Sequence, residues 1–273
     1  MAGVTEDALY RQYETINLYL RGAGATLELN RPERLNAWSN QFAHDLLAAI
    51  TVAQDDPAIR ALVVTGAGRA FSSGADLKEV TDQADGGTID VYERLTERYH
   101  PIIRGLRLMP KPVVAAVNGP AAGIGLSLAL ACDLVVAAES AFFQLAFVNI
   151  GLVPDGGSSL FVPSRVGFTR AAEMAMLGER IAARTALDWG LINRVWPDEE
   201  FRAQAGALLD RLASGATRSF AGTKRQLNRW LYEHMDDQLE FEARIQQEMG
   251  TSADFAEGIA AFTQKRPPRF TGA

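Results

Sequence analysis

The chain has 273 residues, 48% of them hydrophobic and 22% charged, the composition of a globular protein with a sizeable core rather than of a disordered one. A formal net charge of -6 argues against a nucleic-acid partner, which requires a concentrated basic face. The single cysteine, Cys132, excludes an intrachain disulfide and, set within "ALACDLVV", reads as a small core residue in a reducing compartment.

The first twenty residues lack a basic segment followed by an apolar one, so no secretory signal is expected. The most apolar stretch, residues 113–138, is interrupted by Asn118, Gly119, Pro120, Gly123, Gly125 and Asp133, which argues against a membrane span. The expectation is a cytoplasmic protein without a membrane partner. In chain order, "ATLELN" (25–30) and "ALVVTG" (61–66) read as strands, joined by an amphipathic helix with Phe42, Leu46, Leu47 and Ile50 on one side. A strand over "PVVAAVNG" (112–119), a helix through "IGLSLALA" (124–131) and a strand over "DLVVAA" (133–138) follow. The helical pattern returns after Asp155, and "DWGLINRVW" reads as a helix closed by Gly190 and followed by a strand. Near-continuous apolar strands separated by helices predict an α/β protein whose strands are covered on both faces.

From residue 197 onward the pattern is almost wholly helical and lacks the makings of its own compact core. With no linker in the chain, the expected division is a core over 1–196 and a helical region over 197–273 that packs on the core or on another subunit.

Four local patterns carry chemistry. "VPDGGSS" (153–159) places Asp155 between a proline and two glycines, as a turn residue, a helix cap or a proton-transfer group. "NGPAAGIG" lacks the spacing of a dinucleotide fingerprint or a P-loop, but it leads into a helix start near Ile124, where unpaired amides favour developing negative charge. "FSSGADL" (71–77) follows a strand with small residues around Gly74, which let backbone amides approach a ligand. Two such amides from separate loops form an oxyanion hole, unless both segments are plain turns. "GLSLA" resembles a nucleophile elbow, but Ser127 falls inside a helix and only His44, His100 and His234 are available as a base, so a serine hydrolase is disfavoured. The histidine spacing and the lone cysteine provide no metal-ligand pattern.

Together, "LNRPERLNAW" (29–38), "GRAFSSGADLKE" (68–79), "KPVVAAVNGPAAGIGLSLALACDLVVAAESAFF" (111–143) and "GLVPDGGSSLFVPSRVG" (151–167) resemble the crotonase, or enoyl-CoA hydratase/isomerase, superfamily. The resemblance implies a spiral of ββα units with a C-terminal helical oligomerisation region, assembled as trimers or paired trimers. It implies an acyl-CoA thioester substrate, with CoA as part of that substrate and no separate cofactor. The thioester oxygen would be held by the amides of Ala75 and Ile124, with isoleucine standing where many relatives have glycine and narrowing the acyl pocket. Family hydratases activate water with two glutamates, but the matching positions are Ser127 and Phe147, which disfavours syn hydration. Asp155 matches the acid/base carboxylate of certain isomerases and the nucleophile of the dehalogenase branch. That branch fits less well, because Phe147 replaces its tryptophan. The similarity of "AFVNIGLVPDGGSS" is to the branch of epoxyphenylacetyl-CoA and 3-enoyl-CoA to 2-enoyl-CoA isomerases.

By the same resemblance, Leu35, Asn36 and Ala37 with Ser73, Gly74, Asp76 and Leu77 form the loops that contact CoA, and Gly123 and Phe147 line the acyl site. Lys265 and Arg266 reach a phosphate, from this or a neighbouring subunit, or else are solvated terminal charges. The segment 82–100 covers the acyl group and is a candidate source of a second acid. Enoyl-CoA isomerisation is the favoured activity, with hydration and non-catalytic acyl-CoA binding as alternatives.

Overall fold

The computed structural model describes residues 7–83 and 90–273. The chain opens with strands β1 (Ala8–Gln12), β2 (Ile16–Arg21) and β3 (Gly24–Leu29), followed by helix α1 (Asn40–Asp55), whose Ser39 side chain caps it by accepting from the Phe42 amide. Strand β4 (Ala61–Gly66) leads to α2 (Leu77–Gln83), and α3 (Val91–Glu93) runs through a π-helical stretch, Arg94–Tyr99, into α4 (His100–Leu108). The units β5 (Val113–Val117), β6 (Ala121–Ala122), α5 (Ile124–Ala131) and β7 (Leu134–Ala138), β8 (Phe142–Gln144), α6 (Ser158–Leu177) repeat a strand, strand, helix order, the second through a 3-10 turn at Ala146–Ile150. Strand β9 (Ile181–Ala182), α7 (Ala183–Asp188) and β10 (Arg194–Trp196) precede helices α8 (Asp198–Ala213), α9 (Thr217–Leu231), α10 (Met235–Gly250) and α11 (Ala253–Gln264).

The main sheet has the order β1-β2-β3-β4-β5-β7-β10. It is antiparallel from β1 to β3 and parallel from β3 onward. The period of two along a strand sorts its side chains: Leu62, Val64, Val113 and Ala115 join the large core with Leu46, Ile50 and Leu106, while Ala61, Val63, Val114 and Ala116 face α8. Helix α8 supplies Phe201, Ala205, Leu209 and Ala213 to that second layer. The unbroken apolar strands of the sequence thus reflect burial on both faces. Strands β1 and β2 were not expected. Their residues mix polar and apolar at an edge, so the run lacks the continuous apolar signal of the central strands.

Each second strand of a repeat leaves the main sheet and enters a small one, ordered β6-β8-β9. Single bridges Trp38↔Ala75 and Ser72↔Ala121 extend this second layer. It gathers the loops that follow β4, β5 and β7 at one place. Among the described residues, no helix is long and apolar enough to cross a membrane.

Candidate active site

The segment after β4 runs beside the segment after β5. The amide of Ser72 donates to the Pro120 carbonyl at 3.0 Å, and that of Ala122 to the Ser72 carbonyl at 2.9 Å. Beyond the Ser72↔Ala121 bridge, Gly74 comes up against Ala122 and Gly123, the residues that precede Ile124. Gly74 makes this approach possible: its φ is +98°, and a Cβ there would lie 3.0 Å from the Ala122 carbonyl oxygen. Trp38 donates to the Gly74 carbonyl and accepts from the Asp76 amide, a parallel pairing that turns the N–H of Ala75 away from Trp38. Ile124 is the first residue of α5, so its N–H has no acceptor within the helix. Neither amide donates to another backbone group among the described residues. Two amides without a backbone acceptor, one of them at a helix start, are available as donors to an anionic oxygen.

The bend carrying Asp155 presses on the same first turn of α5. Gly156 has φ +60°, and a Cβ there would lie 2.3 Å from Ile124 Cδ1 and 3.0 Å from Ser127 Cβ. The hydroxyls of Ser127 and Ser158 both donate to the Asp155 carbonyl, each at 2.8 Å. Ser127 is fully buried and serves as a clamp on the backbone of Asp155, which removes it as an accessible nucleophile.

The Asp155 side chain is 6% exposed. Its Oδ2 accepts from Gln246 Nε2 at 2.7 Å, while its Oδ1 has no hydrogen-bond partner. Burial pushes its pKa up to about 8, against the opposing Gln246 hydrogen bond and with a further upward push from the charge of Glu242. Glu242, also buried, accepts from the amides of Gly157 at 2.7 Å and Ser159 at 3.0 Å, which caps the start of α6. Burial raises the Glu242 pKa to about 7. Burial likewise pushes the Tyr99 phenol to about 12, with Arg94 opposing and the Asp155 carboxylate adding to the rise, so Tyr99 lies within the field of Asp155. Trp38 meets the Tyr99 ring edge-on at 5.0 Å between centroids. The Asp155 carboxyl is thus buried, with its pKa raised by desolvation toward neutrality, a property suited to a proton shuttle.

The other expected residues divide by what holds them. Phe147 is buried, with its ring edge 3.9 Å from the position of a Cβ on Gly123, so it lines the same corner as the Ile124 amide. Asn36 has no exposure at all. Its Oδ1 accepts from the Arg31 amide at 2.8 Å and its Nδ2 donates to the carbonyls of Ala67 at 3.0 Å and Ala70 at 2.8 Å. The Asn36 side chain cross-links the loops, with every one of its polar groups engaged within the protein. Asp76 pairs with Arg31 at 3.1 Å, and Arg31 also donates to the Ala37 carbonyl at 2.6 Å, tying the two loops together. The Ser73 amide donates to the Leu35 carbonyl at 3.0 Å, and Ser73 is exposed beside partly exposed Leu35, Ala75 and Leu77, which leaves this rim open to solvent.

Lys265 is exposed at the end of α11 with φ +54°, whereas Arg266 is held by Glu257 at 2.5 Å and is not a free cation. Of the segment 82–100, residues 84–89 lie outside the described residues. Within its described part, Asp90, Glu93 and Glu97 are exposed, and a second buried carboxyl near Asp155 is found on α10, as Glu242. Among the described residues no cluster of three His, Cys, Asp or Glu side chains would hold a metal ion.

Glu242 and Gln246 were not found from the sequence. Met235, Leu239, Glu242 and Gln246 follow one face of α10 and are all buried, so two polar residues on an apolar stripe were the available signal.

The family model described as enoyl-CoA hydratase/isomerase matches residues 22–273. The chain is 44% identical to a Rhodobacter capsulatus protein named "Probable enoyl-CoA hydratase", over 95% of this chain and 99% of that one. It is 40% identical to the 1,2-epoxyphenylacetyl-CoA isomerase of Escherichia coli, over 90% and 94% of the two chains. A crystal structure of an enoyl-CoA hydratase from Mycobacterium avium subsp. paratuberculosis superposes with a TM-score of 0.86 at 40% identity, covering 95% of this chain and 100% of that one. The chain belongs to the enoyl-CoA hydratase/isomerase family.

Proposed function

We propose that the protein is an enoyl-CoA isomerase that moves a double bond between the 3- and 2-positions of an acyl-CoA thioester, or rearranges an epoxyphenylacetyl-CoA type of substrate, with Asp155 as its acid and base. The observation that carries this reading is one buried carboxyl with an unpartnered oxygen, packed against the helix turn whose first amide is Ile124. The thioester carbonyl oxygen accepts from the N–H groups of Ala75 and Ile124. Asp155 then takes a proton from C2, and the negative charge spreads onto the carbonyl oxygen, where those amides stabilise it. One such donor is worth about 2.7–4 kcal/mol in the transition state. The neutral carboxyl returns the proton to C4, so no second acid is required. CoA enters as part of the substrate, and no separate cofactor takes part.

Ser127 and Phe147 support isomerisation over hydration, because a clamped hydroxyl and a phenyl ring have no carboxylate with which to activate water. The 44% identity to a relative named as a hydratase favours a second reading, hydration, and Glu242 would then be the second carboxyl. Its two carboxyl oxygens already accept from Gly157 and Ser159, which counts against that role. Exposed Phe168, Met176 and Trp230 are read as subunit contacts of a trimer, to be checked by sedimentation. The deciding experiment is incubation of 3-enoyl-, 2-enoyl- and crotonyl-CoA esters with the protein in deuterated water, followed by mass spectrometry. A shifted double bond is expected, with deuterium at C2 or C4 only in the turnovers in which the carboxyl exchanges its proton with solvent before returning it. Water addition to crotonyl-CoA without bond migration would establish hydration, and binding with neither exchange nor bond migration would leave a non-catalytic acyl-CoA protein.

A further inference from the structure

Helix α10 holds the Asp155 bend along its whole length. Gln246 Oε1 accepts from the Val153 amide at 3.1 Å, Gln246 Nε2 donates to Asp155 Oδ2 at 2.7 Å, and Glu242 accepts from Gly157 and Ser159 one turn earlier on the helix. The Val153 amide is a donor only, so it orients the Gln246 side chain and leaves Nε2, also a donor only, facing Asp155. Gln246 has no solvent exposure, and no water competes for either bond. In a neutral carboxyl the carbonyl oxygen is a stronger acceptor than the hydroxyl oxygen, so an N–H donated to Oδ2 favours Oδ2 as the carbonyl and places the proton of neutral Asp155 on Oδ1, which has no partner among the described residues.

We infer that Gln246 is a positioning residue for Asp155, holding Oδ2 as a fixed acceptor and thereby assigning proton transfer to Oδ1. This inference rests on the isomerase reading of the same site. It deepens that reading by making the shuttle a single oxygen, held at one position while the acyl chain presents C2 and then C4. The titratable and charged groups facing Asp155 are Glu242 from α10 and Tyr99, itself in contact with Arg94, from the π-helical segment. None of these is altered by substitution at Gln246.

The test is the pH dependence of kcat and KM for 3-enoyl-CoA isomerisation in Gln246→Glu and Gln246→Met. Activity requires the ionised carboxylate and rises with pH through its midpoint. A donor to the carboxylate lowers that midpoint, so its removal raises it. Gln246→Met is expected to lower kcat about tenfold, leave KM within about twofold and move the midpoint up by roughly one unit. Gln246→Glu keeps the side-chain shape and the acceptor for Val153 and replaces only the donor. Its midpoint is expected to rise further, because two adjacent carboxyls share a proton. Should Gln246→Met fail to fold, Gln246→Glu decides by the same criteria. A folded variant with the wild-type kcat and midpoint, or with a change in KM alone, overturns the inference. Failure of the isomerase reading is separate: it would appear as isomerase activity surviving in Asp155→Asn, whatever the Gln246 variants do.

Discussion

Two carboxyls about twenty residues apart in sequence, Asp133 half-buried and Asp155 buried, receive opposite treatment. Asp133 is bonded by the Arg107 guanidinium, by Lys224 at 2.9 Å and by the Val113 amide at 2.8 Å, and it binds the main sheet to α4 and α9. Lys224 is itself buried, its pKa pushed down to about 8 by desolvation against the pull of Asp133. Asp155 and Glu242 have hydrogen bonds but, among the described residues, no cation. A carboxylate bonded to two cations ties elements of the fold together, whereas burial without a cation raises the pKa of a carboxyl and suits it to proton transfer. The contrast teaches that burial alone does not distinguish a structural acid from a functional one, whereas the charge of its neighbours does.

The largest expected effect that would break this comparison is on Asp155. Replacement by asparagine should lower kcat by about 10²- to 10⁴-fold, the usual range for a general acid/base, measured as 3-enoyl-CoA isomerisation. It should also change the pH dependence of stability. A carboxyl whose folded pKa of about 8 exceeds its unfolded value near 3.8 is protonated more fully in the folded state over that window. Its contribution is therefore lost as pH rises from about 4 to about 8, with a slope of at most ~1.4 kcal/mol per unit. Asp155→Asn should accordingly gain in Tm relative to wild type between pH 5 and pH 9, since Glu242 titrates in both proteins. An equal Tm difference at both pH values would mean that the carboxyl is hydrated and the contrast with Asp133 is false.

Next comes the paired acid. Asp133→Asn leaves Arg107 and Lys224 without their counter-ion and should destabilise by about 3–5 kcal/mol in urea unfolding, while the activity midpoint stays in place. A shifted midpoint would show that the two regions are coupled. A smaller effect is expected from Gly156→Ala, roughly 1–3 kcal/mol with a fall in kcat, because φ +60° is unfavourable for alanine and its Cβ would meet Ile124. The smallest belongs to Ser127→Ala, about 1 kcal/mol and a kcat within a few-fold of wild type, since Ser158 still donates to the Asp155 carbonyl. A large loss of activity there would make Ser127 more than a clamp.

Some of this was legible in advance because the signals are local. The strand over "ALVVTG" is β4, the helix start at Ile124 is where α5 begins, and the Pro-Asp-Gly-Gly run is a left-handed bend before α6. Strands β1, at the sheet edge, and β2, beside it, escaped because polar residues interrupt their apolar runs. The Asn36 side chain also cross-links its loop to the segment after β4, which was not legible because its partners Ala67 and Ala70 lie more than thirty residues away. Glu242 and Gln246 lie almost ninety residues beyond Asp155, and the spacing of polar residues on a helix says nothing of which distant loop they meet.

The sequence by itself determined the fold class, the family and the presence of Asp155, because apolar periodicity and turn chemistry act over a few residues and the motifs follow the chain. Only the tertiary structure decided that Asp155 titrates near neutrality, since that depends on desolvation and on the absence of a cation, both set by segments far apart in the chain. It also decided that α10, rather than residues near the bend, holds the carboxyl, because which elements pack together is a property of the assembled layers and not of any one of them.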